Sequence, residues 1–248
     1  VLESQFFPLD STQLAQKEAD ARYVELFEDI LNRQSKLYDP QRALMLGICY
    51  PGVYVQSEGR FYMKSSLGIT LSEGALLQLQ ARIHLPIYLF NSTKSLAYAE
   101  KKRLDAGNPE NAETLDMLFV KIDNGIGCAI ISHGDIYTGP YNVAGEIGHF
   151  TIDYQGKPCV CGNRGCLQGY ADLNAILEDA RQASLKANIE PPESIEALAA
   201  RYKSEPALMA SVKHSAQLLS FGLYSVLCSS GMRRIALGGG IEALGEPF

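Results

Sequence analysis

The chain has 248 residues, 46% of them apolar and 20% charged, a balance that excludes wholesale disorder and allows a sizeable core without disulfide staples. Its 22 Lys+Arg against 28 Asp+Glu give a net charge of -6 at pH 7, which argues against broad non-specific binding of these residues to nucleic acid or anionic membrane. No run of about 18 apolar residues occurs, so no transmembrane helix is predicted. The opening VLESQFFPLD lacks the basic and apolar regions of a signal peptide, so a cytoplasmic place is expected. It also lacks an initiator Met, and the chain reads as processed or as a fragment.

In chain order, residues 11–34 carry Val24, Phe27, Ile30 and Leu31 at three-to-four spacing, predicting an amphipathic helix capped by Asp10 or Ser11. ALMLGICYPG (43–52) predicts a buried strand ending in a Pro-Gly turn, and LSEGALLQLQARI (71–83) a short helix capped by Ser72. LPIYLF (85–90) reads as a strand and TKSLAYAEKKRL (93–104) as a helix. The polar, turn-rich DAGNPENAE (105–113) is the candidate linker. LDMLFVKI (115–122) and GCAIIS (127–132) predict two strands separated by DNGI, and DIYTG (135–139) offers a third. Helices follow at 171–182, 193–202 and 205–230, then RRIALGGGI (233–241) as a strand running into a glycine loop. Alternating strands and helices predict an α/β fold in two lobes, 1–110 and 111–248.

Six cysteines fall into two kinds. Cys49, Cys128 and Cys228 stand singly in apolar surroundings and read as small buried hydrophobes. Cys159, Cys161 and Cys166 cluster in CVCGNRGC, a spacing that in a long chain without a visible signal peptide reads as a metal site before a disulfide framework. Three thiolates need one more ligand to close a tetrahedral zinc shell, and His149 lies ten residues upstream of Cys159. Four protein ligands leave no place for water, so such a zinc would be structural. Three free or oxidised thiols are the alternative.

The segment GEIGHFTIDYQGKPCVCGNRGCLQGYA (145–171) closely resembles the signature of the ROK family (repressor, open reading frame, kinase), which pairs Gly-Glu-Ile-Gly-His with Cys-x-Cys-Gly-x-x-Gly-Cys. The likeness extends to YPG (50–52), LPIYLFNSTKSLAYAE (85–100), the paired strands at 115–132 and GGG (238–240). It implies an actin-like (ribonuclease H-like), two-lobed α/β fold, the fold of bacterial sugar kinases and sugar-responsive repressors. It also implies that His149, Cys159, Cys161 and Cys166 ligate a structural zinc. On the same resemblance Asn91, Glu146, His149 and Gln168 fall at sugar-contacting positions, the last in place of a Glu. Read without it, Glu146 is a loop charge and Asn91 a strand-terminal turn residue.

Departures from the family pattern point away from phosphoryl transfer. Family kinases follow the Asn at position 91 with a general-base Asp, where this chain has Ser92. A serine hydroxyl cannot take up a proton near neutral pH without its own base, forfeiting a contribution of about 10²–10⁴. The family's second phosphate loop resembles Gly-Thr-Gly-Ile-Gly, whereas here Asp123-Asn124-Gly125-Ile126-Gly127 sets a carboxylate where a phosphate needs donors. The first phosphate-loop hairpin is missing from the N-terminal lobe. SSLG (65–68) stands where the family has a sugar-binding amide.

Three classes of function are therefore carried forward. The first is the effector-sensing, self-associating part of a transcriptional repressor, catalytically inactive, a homodimer or homotetramer whose DNA contacts come from a winged helix-turn-helix outside this chain. The second is an ATP-dependent kinase of a hexose or N-acetylhexosamine. The third is an interaction protein that has lost sugar binding. A zinc-ribbon nucleic-acid binder is weaker still, since only Lys157 and Arg164 are basic near the cysteines and no aromatic platform interleaves with them.

Overall fold

Ser72 sits one residue before a helix that it caps through its own hydroxyl, and most of the chain follows its local signals in the same way. The computed structural model describes residues 16–34, 45–63, 71–83, 85–107 and 115–245. The Asp10 or Ser11 cap, the SSLG stretch and residues 108–113 of the polar linker lie outside the described residues. Contacts divide the chain into two compact units, Val1–Ser92 and Thr93–Phe248.

The first unit contains α1 (Gln16–Gln34), β1 (Leu46–Tyr50), β2 (Val53–Val55), β3 (Arg60–Met63), α2 (Glu73–Arg82) and β4 (Ile87–Asn91). β1 and β4 pair in parallel, from Leu46 opposite Ile87 to Tyr50 opposite Asn91. Ala19, Tyr23 and Val24 of α1 share a core with Ala75, Leu76 and Leu79 of α2 and with Ile48, Tyr50 and Ile87 of the strands. The Ser72 hydroxyl accepts from the Ala75 N–H at 3.1 Å and donates to Asp20 Oδ2 at 2.6 Å, so the α2 cap also pins α1. The β2–β3 hairpin is an addition to the sequence reading. Val53, Tyr54 and Val55 are all buried, so the period-two signal of a half-exposed strand is missing. Phe61 packs its ring against Tyr54 and Tyr50, with centroids 4.8 and 5.1 Å away.

The second unit holds nearly all of α3 (Ser92–Gly107), then β5 (Met117–Asp123), β6 (Gly125–Ser132), β7 (Asp135–Tyr137), α4 (Gln168–Ala171), α5 (Leu173–Ala187), α6 (Ile195–Arg201), α7 (Pro206–Ser230) and β8 (Ile235–Gly238). Its sheet runs β7-β6-β5-β8, with β6 antiparallel to both neighbours and β8 parallel to β5. The β5–β6 register runs from Met117 opposite Ile131 to Asp123 opposite Gly125, so Asn124 alone turns the chain. Gly125, expected between the strands, is part of β6.

Successive residues face opposite sides of the sheet. Leu118, Val120 and Ile122 join Ile126 and Cys128 in the core shared with Ile176 of α5 and with Leu208, Val212 and Leu219 of α7. Met117 and Phe119 face the other way, with Ala129 and Ile131, toward Ala97 and Leu104 of α3. Cys128 is a small buried hydrophobe as expected, but Cys49 and Cys228 are exposed. In β1 the inward positions are Ile48 and Tyr50, which turns Cys49 to the opposite side. Among the described residues no helix is long and apolar enough to cross a membrane.

Candidate functional site

The family signature occupies the connection between β7 and α5. That connection begins with a loop, 138–146, closed by Ala144 N–H donating to Thr138 O at 3.0 Å and Asn142 N–H donating to Gly139 O at 3.3 Å, and the signature starts at its last two residues. The Cys128 N–H on β6 donates to Gly145 O at 3.1 Å. Gly145 has φ +95°, and an added Cβ would stand 2.0 Å from Cys128 O, so only glycine fits there. A single 3-10 turn, Ile147–His149, follows directly, with Glu146 at its N-terminal edge.

From His149 the chain makes a ribbon that returns at Cys166. Ile152 N–H donates to Gly165 O at 2.8 Å, Leu167 N–H to Phe150 O at 2.8 Å, and Cys159 N–H to Asn163 O at 2.8 Å. The predicted ligands thereby converge: the His149, Cys159, Cys161 and Cys166 ligand atoms all lie within 4.8 Å of one another. Cys159 Sγ is 3.6 Å from His149 Nδ1, and Cys161 Sγ is 3.7 Å from Cys166 Sγ. A tetrahedron with Zn–S of about 2.3 Å and Zn–N of about 2.0 Å sets its sulfurs roughly 3.8 Å apart and sulfur from nitrogen roughly 3.5 Å. The donor set fits a zinc-sized dication.

Electrostatics agrees with the geometry. Burial, followed by the neighbouring Cys159 and Cys161 sulfurs, pushes the Cys166 thiol up to about 12. Three thiolates cannot crowd together without a cation to offset their repulsion. Burial also lowers His149, favouring the neutral imidazole that a metal ligand requires. Gln168 is buried, and its Nε2 donates toward Cys159 Sγ at 3.7 Å. That amide orients a ligand sulfur, a role the sequence did not signal.

The other expected contacts lie around this centre or in the first unit. Glu146 is half-buried; burial raises its carboxyl above the ordinary range, while the nearby Lys94 pulls it back down. Asn91 ends β4 in the first unit, and its Nδ2 donates to Gly52 O at 2.9 Å, tying the strand to the Pro51-Gly52 turn. Ser92 is the first residue of α3.

Asp123 closes the end of β5. Its Oδ1 accepts from the Gly240 N–H at 2.6 Å, and its Oδ2 pairs with Lys121 Nζ at 2.6 Å. Burial alone would raise this carboxyl, but Lys121 and the Gly240 N–H overcome it and hold it below the usual range. Gly239 has φ +95°, and a Cβ there would stand 2.7 Å from Ile122 O and 2.9 Å from Asp123 Oδ1. The carboxylate thus sits inside the glycine corner at the end of β8.

Comparison with known proteins places these features in a family. The family model described as ROK family matches residues 9–246. The xylose repressor of Bacillus subtilis (strain 168) is 32% identical over 149 residues, which is 59% of this chain and 36% of that protein. The N-acetylmannosamine kinase of Escherichia coli O1:K1 is 32% identical over 123 residues, 50% of this chain and 40% of that protein. The matched stretch is thus well under half the length of either relative. Among solved structures, a ROK family transcriptional regulator, a homologue of the E. coli MLC protein, superposes with a TM-score of 0.73 at 24% identity, covering 92% of this chain and 57% of its own. A ROK family glucokinase from Streptomyces griseus in complex with glucose and AMPPNP gives 0.72 at 20% identity, covering 90% and 74%. The mixed α/β fold is therefore the one shared by ROK regulators and glucokinases, and with its family model matched from residue 9 to residue 246 the chain belongs to the ROK family.

Proposed function

We propose that this chain is the effector-sensing and self-association part of a ROK-family transcriptional regulator that responds to a sugar or sugar derivative and does not transfer phosphate. His149, Cys159, Cys161 and Cys166 hold a zinc ion that supplies a cross-link and no open position for chemistry. Glu146 accepts from sugar hydroxyls, with Gln168 and the second ring nitrogen of His149 as further partners. A bound sugar changes DNA affinity only by binding two conformations unequally. DNA contact belongs to a segment outside these residues.

The observation that carries the non-enzymatic part is Asp123. Its carboxylate occupies the Gly240 N–H, a donor that would otherwise be open to a phosphate oxygen, so a nucleotide meets charge repulsion where it needs donors. Ser92 adds to this, because a hydroxyl stands where the family's kinases place a general base. The xylose repressors among the relatives support the regulator reading.

The kinase reading keeps one observation in its favour, the N-acetylmannosamine kinases that match at 32% identity. Thermal denaturation with D-xylose, D-glucose, N-acetyl-D-mannosamine and their phosphates, with and without MgATP, separates the two. A rise in midpoint with a sugar and none with MgATP is expected, since only a ligand of the folded state stabilises it. A MgATP shift accompanied by ADP release would establish the kinase. No shift with any sugar would leave an interaction protein.

A further inference from the structure

Glu146 can meet a ligand in a fixed direction only if loop 138–146 holds its shape, and the strongest hold comes from outside the loop. We propose that Lys94 is the positioning residue of the sugar site, bridging the first turn of α3 to Asn142 and so fixing the loop that carries Glu146. The proposal rests on the sugar-binding reading of Glu146.

Lys94 is a lysine with 8% of its surface exposed, an unusual place for an ammonium group. Its Nζ donates to the backbone oxygen of Asn142 at 2.6 Å and to the Asn142 side-chain oxygen at 2.8 Å, two charge-assisted bonds to one residue. Asn142 has φ +61°, a left-handed conformation that asparagine tolerates better than most non-glycine residues. The Lys94 clamp holds both of its oxygens within the loop.

The helix end of the bridge is equally fixed. Thr93, also 8% exposed, lies directly over Gly127 of β6, where an added Cβ would stand 2.3 Å from its hydroxyl. The first turn of α3 is therefore seated on the sheet before Lys94 reaches across. The Glu146 carboxylate lies close enough for its charge to act on Lys94, and Lys94 acts back on it. A methionine would fill this volume at less desolvation cost, so an ammonium here is explained by what it holds and by the carboxylate it faces.

The test compares wild type, Lys94→Met and Asn142→Gly. Hydrogen exchange is followed by mass spectrometry without ligand, and titration calorimetry uses D-xylose, D-glucose and N-acetyl-D-mannosamine. Lys94→Met is expected to speed exchange within 138–146 about tenfold or more, while β5–β6 exchange and zinc content stay as in wild type. Its affinity for whichever probe the wild type binds should fall about tenfold. Asn142→Gly keeps the left-handed backbone, loses one of the two bonds and should loosen the same segment less. Unchanged exchange in 138–146 in both variants, or a loosened loop with undiminished sugar affinity, would overturn the proposal. If the wild type binds none of the probes, the sugar reading of Glu146 fails, and the exchange arm still decides whether Lys94 fixes the loop.

Discussion

At Asp123 one carboxylate serves two partners, and its removal can be read in two ways. Asp123→Ala leaves the Gly240 N–H and Lys121 without their acceptor, which at this partly exposed site should cost about 1 kcal/mol in urea denaturation at pH 7. Because the carboxyl is held below its ordinary value in the folded chain, its contribution is present above about pH 4 and fades as pH falls through the lower folded value. The gap between variant and wild type should therefore be constant from pH 7 to about pH 4 and close below that. Glu146→Gln keeps an acceptor but loses the charge, so sugar affinity should fall about tenfold by calorimetry without loss of zinc. The four proposed metal ligands were legible because close spacing of soft donors is itself chemical information. The amide of Gln168 turned to the Cys159 sulfur, and Lys94 clamped on Asn142, were not, because each joins residues through the folded chain.

The zinc-loop ribbon shows how the same residue type can matter unequally within one element. Gly165, with φ +66°, has no room for a Cβ, which would stand 1.5 Å from Asp153 O; Gly162, with φ +90°, faces open space. Gly165→Ala should cost about 3 kcal/mol or more and lower zinc content, since backbone overlap adds to strain. Gly162→Ala should cost only about 1–2 kcal/mol, the strain alone. Circular dichroism melts with metal analysis check both. The start of α2 was readable because Ser72 makes its cap, whereas the side-chain caps Asp172 and Ser194 of α5 and α6 went unread and those helices begin two residues later than expected. The β2–β3 hairpin was hidden because its three-residue strand buries every side chain and shows no alternation.

Over the whole molecule, the three isolated thiols, alike in sequence context, sort by their surroundings. With metal bound, a thiol reagent such as Ellman's should titrate Cys49 and Cys228 quickly and leave Cys128 untouched until denaturant is added. Burial, with Glu146 adding to it, pushes the Cys128 thiol up to about 12. The alternation of strands and helices gave the fold class from sequence, but not the order in which strands pair. That order carries a consequence for how the chain finds its fold. β5, β6 and β7 are neighbours in sequence and can pair by closing short loops, whereas Leu118 must meet Ile235 across a span that includes α4 to α7. Closing so long a loop costs more chain entropy, and only the later contacts repay it. Truncations of buried side chains in β5 and β6 should slow refolding. Those in β8 should mainly speed unfolding, with the Asp123–Gly240 bond the last stitch to close and the first to open.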